Sequence, residues 1–270
     1  SETHFDRVKV IHQLTAPFAY MVNSLDKFML GTALGYAYLM LLVSLWAGAR
    51  WLGDRRDAAT SGAPPAWRWL LVVFVASAGM MLFHSVVGLS TIPVSVGACV
   101  LLAVLAWRDA RLGPATHPLW LAVAALAGLA ATWGYFRSIS SGWDAGRMGV
   151  QHQYLHFGWV MPWTLATACG LTALAAWPGV RRVFSERRVA GIWLACWTLG
   201  MTMFALIVHL PEDNESKFVW QVFAPLAILG AFGLPALVAG SQRRLGRAFT
   251  LALVALAFVM FIGPAFKASM

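Results

Sequence analysis

Three stretches hold most of the side chains with reactive or ligating chemistry. "HLPEDNESKF", residues 209–218, places Glu212, Asp213 and Glu215 within four positions of a chain with only 11 acidic residues. His209, Asn214 and Lys217 stand beside them. Clustered carboxylates of this kind serve as general bases toward a hydroxyl, and a lysine among them meets a phosphate or pairs with a carboxylate. "VQHQYLHF" sets His152 and His156 four apart, on one face if helical, which is ligand spacing for zinc or another borderline divalent ion. His84, His209 or a carboxylate of the decapeptide would supply a third ligand. "SISSGWDAGRMG" adds Asp144 and Arg147 among glycines. Each stretch also has a plainer reading. The decapeptide can be a solvated connector in which Pro211 ends one helix and Asp213 or Asn214 caps the next. The histidines can be interfacial residues without a metal, and the glycine-rich stretch an exposed loop.

The elements that position these residues follow from composition. With 60% hydrophobic and 11% charged residues and a mean hydropathy of +0.69, the chain departs from soluble globules, in which about 25% of residues are charged. It reads as an all-α, polytopic transmembrane helical bundle. Apolar runs flanked by aromatic or charged residues mark eight spans, near 28–49, 69–84, 92–107, 119–136, 156–177, 190–209, 219–240 and 248–264. The second and third share a tight turn, "HSVVGLSTIP", that makes them a short hairpin or a re-entrant loop. The first 27 residues form a separate segment, in which Phe5, Val8, Ile11 and Leu14 recur at the spacing of an interfacial amphipathic helix that Pro17 ends. Residues 28–270 form the bundle.

Charge tests this count independently. The loops that eight spans place on one face (50–68, 108–118, 178–189 and 241–247) hold 13 Lys/Arg and 4 Asp/Glu, and the other face holds 7 of each. The whole excess of +9 therefore lies on one side, the cytoplasmic side by the positive-inside rule, with both termini outside. The pI near 10.1 reports topology and an affinity for lipid headgroups, not a nucleic-acid partner. Six of the seven histidines fall on the outer face; only His117 lies inside. Cys99, Cys169 and Cys196 sit within spans and form neither a disulfide framework nor a CxxC metal site.

The segment "PEDNESKFVWQVFAPLAILGAFGLP" resembles the N-E-x-K-F stretch and following apolar span in the later half of polytopic glycosyltransferases of the GT-C class and their uncharacterised bacterial relatives. "NSLDKFMLGTALGYAYLMLLVSLW" and a span ending in His84 extend the resemblance more loosely. The resemblance implies a multi-pass protein of the bacterial cytoplasmic membrane that transfers a sugar from a polyprenyl-phosphate donor at the outer face. Asn214, Glu215, Lys217 and Phe218 carry the motif; Lys217, with Arg147, His84 and His209, would bind the substrate. The family's acidic catalytic residue stands in a first outer loop, which this sequence lacks. The corresponding expectation is either a catalytic half preceding Ser1, as part of the same or a separate chain, or a non-catalytic relative of the family. Two further classes stay open: a subunit holding b-type haem between paired histidines such as His84 and His209, and a structural partner in a larger membrane complex.

Overall fold

The computed structural model describes residues 33–61, 67–140, 149–150, 160–209 and 216–245. They form seven α-helices: α1 (Ala33–Ser61), α2 (Arg68–Phe83), α3 (Ser85–Arg108), α4 (Thr116–Ser140), α5 (Val160–Ser185), α6 (Val189–Ile207) and α7 (Ser216–Leu245). A short 3-10 turn, Ala110–Leu112, links α3 to α4. Two two-residue strands, β1 (Gly149–Val150) and β2 (Val208–His209), complete the described elements. Five stretches are long and apolar enough to cross a bilayer, within α1, α3, α4, α6 and α7. The chain is an all-α, multi-pass helical membrane protein. The expected N-terminal interfacial helix and the eighth span, 248–264, lie outside the described residues.

Helix is the only conformation that satisfies every backbone N–H and C=O of such apolar runs in lipid. Large side chains accordingly face outward: Trp107 is 83% exposed, Leu174 70% and Leu71 62%. Two buried hydroxyls return to their own helices, Thr132 to the Gly128 carbonyl at 3.0 Å and Thr198 to that of Leu194 at 2.7 Å, and so add no unpaired polarity of their own.

Small residues set the crossings. α7 packs chiefly on α5, α2 on α1 and α4, and α3 on α4 and α6. A Cβ at Gly179 would stand 2.0 Å from the Leu229 carbonyl oxygen, and one at Gly233 2.2 Å from that of Ala175; α5 and α7 touch backbone to backbone. Gly128 likewise admits the Phe74 carbonyl where α4 crosses α2, and Gly48 receives the Trp193 ring where α1 meets α6. This close approach of small residues is how helices gain contact in a solvent as apolar as themselves.

The ten-residue turn expected at 84–93 is not formed. α2 stops at Phe83, His84 alone is extended (φ −156°, ψ 95°), and α3 starts at Ser85 and runs through Pro93. Gly88, Ser90, Thr91 and Pro93 are turn residues in water. Here Ser90 bonds the Val86 and Val87 carbonyls at 2.8 and 3.1 Å, and a loop would strand backbone groups that the helix pairs. The helices still double back. Trp67, ahead of α2, contacts Trp51 of α1 and Trp120 of α4, so α2 begins at the end where α3 finishes and α4 starts.

The basic turns gather at that same end. The Trp51 indole donates to the His117 carbonyl at 3.0 Å. Arg187, in the turn between α5 and α6, pairs with Asp109 after α3 at 3.1 Å. Arg50 and Arg68 both lie over the Trp69 ring, 5.7 and 4.9 Å from its centroid. Helix α5 closes with the Arg188 N–H bonded to the Val183 carbonyl and the Arg187 N–H to that of Phe184, a Schellman end in which Arg187 takes the left-handed position usual for glycine (φ 51°).

Candidate functional site

The opposite end of the bundle carries His84, His209 and Lys217. There α2 ends, α3 begins, α6 ends and α7 begins, and two contacts join them. The first is antiparallel pairing of β1 with β2, Gly149 opposite His209 and Val150 opposite Val208. It lays the chain just after Arg147 and just before His152 alongside the strand that opens the acidic decapeptide, so segments sixty residues apart meet at the end of α6. The second is internal. Ser90 on α3 and Gln221 on α7 stand 2.9 Å apart, hydroxyl to side-chain oxygen, joining the second turns of these two helices.

Each candidate is placed only as far as its element allows. His84 is the hinge residue of the α2–α3 corner: its N–H donates to the Met80 carbonyl at 2.9 Å, and its own carbonyl accepts from Val87 at 2.9 Å and Gly88 at 3.2 Å. The residue thus caps the end of one helix and the start of the next, and its half-buried ring lies at the helix boundary. His209 is the last residue of β2, and Lys217 is the second residue of α7. Glu212, Asp213, Asn214, Glu215, Arg147, Asp144, His152 and His156 lie outside the described residues. Among the described residues no three His, Cys, Asp or Glu side chains converge as a metal site; the ligand pair His152 and His156 is not among them.

Behind this end, an apolar groove of about 400 Å³ runs between α3 and α6, lined by Pro93, Val94, Gly97, Leu101, Leu199 and Met203. It exists because Gly97 and Gly200 present no side chain and Pro93 sits inside α3. Phe204, at its rim, meets Phe218 of α7 edge to face, centroids 5.3 Å apart. Phe218, the last residue of the decapeptide, is therefore a packing residue, 0% exposed.

Two residues of this end escape a reading by apolar runs: Ser90, absorbed into a presumed turn, and Gln221, absorbed into a span. A glutamine four positions ahead of a proline inside an otherwise apolar helix was the available signal. No known protein family, curated protein or solved structure matches the chain.

Proposed function

We propose that the chain is a glycosyltransferase-like membrane protein, or the later part of one, that binds a polyprenyl-phosphate-linked sugar at its histidine- and carboxylate-rich end. The observation that carries this reading is the pairing of Gly149 with His209: it sets a residue two positions after Arg147 opposite the first residue of the decapeptide, in keeping with two cationic contributions to one phosphate. In this reading Lys217 and Arg147 meet the phosphate. His84 and His209 border the site, and Asn214 holds a polar group of the sugar. One of Glu212, Asp213 and Glu215 takes the proton of the acceptor hydroxyl, and a divalent ion on His152 and His156 would neutralise charge on the leaving phosphate. The groove between α3 and α6 opens to the hydrocarbon and suits a prenyl chain. The basic end lies in the cytoplasm by the positive-inside rule, which puts the site outside, in an eight-span arrangement.

The test is binding and transfer with a polyprenyl-phosphate sugar in nanodiscs, using Lys217→Gln together with Glu215→Gln. Loss of both is expected. Full transfer by the double variant refutes the assignment of these residues.

A further inference from the structure

Gln221 is completely buried in an apolar bundle, and its hydrogen bonding does not close on the protein alone. Ser90 Oγ is 2.8 Å from the Val86 carbonyl, 3.1 Å from that of Val87 and 2.9 Å from Gln221 Oε1, yet a hydroxyl has one proton to give. Among the described residues Gln221 Nε2 has no partner. Exchanging the amide oxygen and nitrogen, which have the same shape, improves one side: Nε2 then donates to Ser90 Oγ while Ser90 donates to Val86. Oε1 is thereby turned to the position that Nε2 left. As placed, one end of a fully buried amide has no partner among the described residues, a cost that a small hydrogen-bonding group seated there would remove.

Two proline breaks lie at this contact. Pro225 stands four residues after Gln221 and withholds the N–H that would bond the Gln221 carbonyl; Pro93 does the same to the Leu89 carbonyl, next to Ser90. The Thr91 hydroxyl, 1% exposed, also has no partner. An amide terminus, two carbonyls deprived of their helical donors and a spare hydroxyl thus belong to residues at or next to the Ser90–Gln221 contact. A cation would be repelled by the amide N–H of one orientation, and an anion by the carbonyls. A water molecule both donates and accepts, and its customary three or so hydrogen bonds match this set.

We propose that Gln221 holds an ordered internal water beside the proline breaks of α3 and α7. The water bridges the free terminus of the Gln221 amide to a carbonyl released by Pro225 or Pro93, and so re-satisfies broken helices inside the membrane. The hydrated contact ties together the helix starts that carry His84 and Lys217. Its bearing on phosphate binding rests on the reading above; the water itself does not.

X-ray radiolytic footprinting of the chain in nanodiscs tests it, because a bound water generates hydroxyl radical inside the protein. Phe218, one turn before Gln221 and 0% exposed, is expected to be oxidised well above the background of other buried aromatics such as Trp51. Gln221→Leu should reduce that rate several-fold, and Lys217→Gln should leave it unchanged whether or not lipid binding survives. If Gln221→Leu does not fold, native protein mixed rapidly into ¹⁸O-water decides: the label should reach Phe218 products later than those of exposed Trp107. Phe218 oxidation at background, unchanged in Gln221→Leu, or labelled in step with Trp107 overturns the proposal.

Discussion

The backbone contact between α5 and α7 gives the sharpest quantitative expectation. In Gly179→Ala the new methyl would stand 2.0 Å from the Leu229 carbonyl oxygen and 3.0 Å from the Gly233 nitrogen. Ordinary C···O contacts begin near 3.3 Å, so the helices must part by about 1.3 Å at the crossing. The obstacle is backbone within a helix, and no rotamer change relieves it. Opening a packed interface by about 1 Å forfeits up to half of its dispersion energy locally, and overpacking costs about 1–3 kcal/mol; a rigid obstacle belongs at the upper end. Gly170→Ala is the control, in the same helix with nothing within 4 Å of its Cβ. There alanine should stabilise by about 0.5–1 kcal/mol, the ordinary helix preference. Thermal unfolding in detergent should move in opposite directions for the two variants, Gly179→Ala falling by about 6–12 °C if soluble-domain scaling carries over. Equal shifts would refute the close crossing.

Other expectations follow the same logic elsewhere in the bundle. Gly128→Ala places a methyl 2.6 Å from the Phe74 carbonyl and should lower the melting temperature, whereas Gly134→Ala, with nothing within 4 Å, should not. Arg187→Gly removes a left-handed non-glycine residue (φ 51°) and one exposed ion pair; the strain is worth about 1 kcal/mol or more and the pair about 0–1, so stability should hold or rise, and a marked drop in thermal unfolding would show that the Asp109 contact dominates. Hydrogen bonds from Arg182, at 2.6 Å, and from Arg188 hold the Glu186 carboxyl below its ordinary range. A depressed folded value stabilises above the ordinary glutamate pKa and is lost as pH falls through the lower value. Glu186→Gln should therefore narrow the melting difference between neutral pH and pH below about 4, slightly, since the group is exposed and screened; a large change would contradict that exposure.

Apolar runs and basic loops made the helices and the common end of their arginines legible, because both reflect the membrane directly: length follows hydrocarbon thickness, and cation placement follows insertion. Where the run ends and the helix does not, the reading stopped short. α1 continues past Ala49 to Ser61, and α5 runs past Trp177 through Pro178 to Ser185; helix outlasts the apolar run in both, even where a proline removes one backbone hydrogen bond. At 84–93 the error ran the other way. Glycine, serine, threonine and proline signal turns when water can pair the released backbone, and in lipid that alternative disappears, so Gly88 serves instead to admit Met81 at a corner of one residue.

The candidate site was legible as a set of residue types and illegible as a set of neighbours. Nothing in "GVQH" or "VHLP" announces that Gly149 will pair with His209, because a two-residue ladder has no periodicity to detect. Nor does an apolar-run count register Gln221, whose single amide barely alters the hydropathy of a twenty-residue window. Yet the two contacts do different work. The strand pairing joins polar segments at the surface, while the Ser90–Gln221 contact joins two proline-broken helices beneath it. If both hold, the start of α7 is fixed from above and below, so a change at Gln221 should disturb the phosphate binding proposed at Lys217 without touching the ligand. Comparing Gln221→Leu with Lys217→Gln separates these roles. The first is expected to weaken polyprenyl-phosphate binding and suppress Phe218 oxidation together, the second to weaken binding alone; equal binding by Gln221→Leu and the native chain would confine Gln221 to packing.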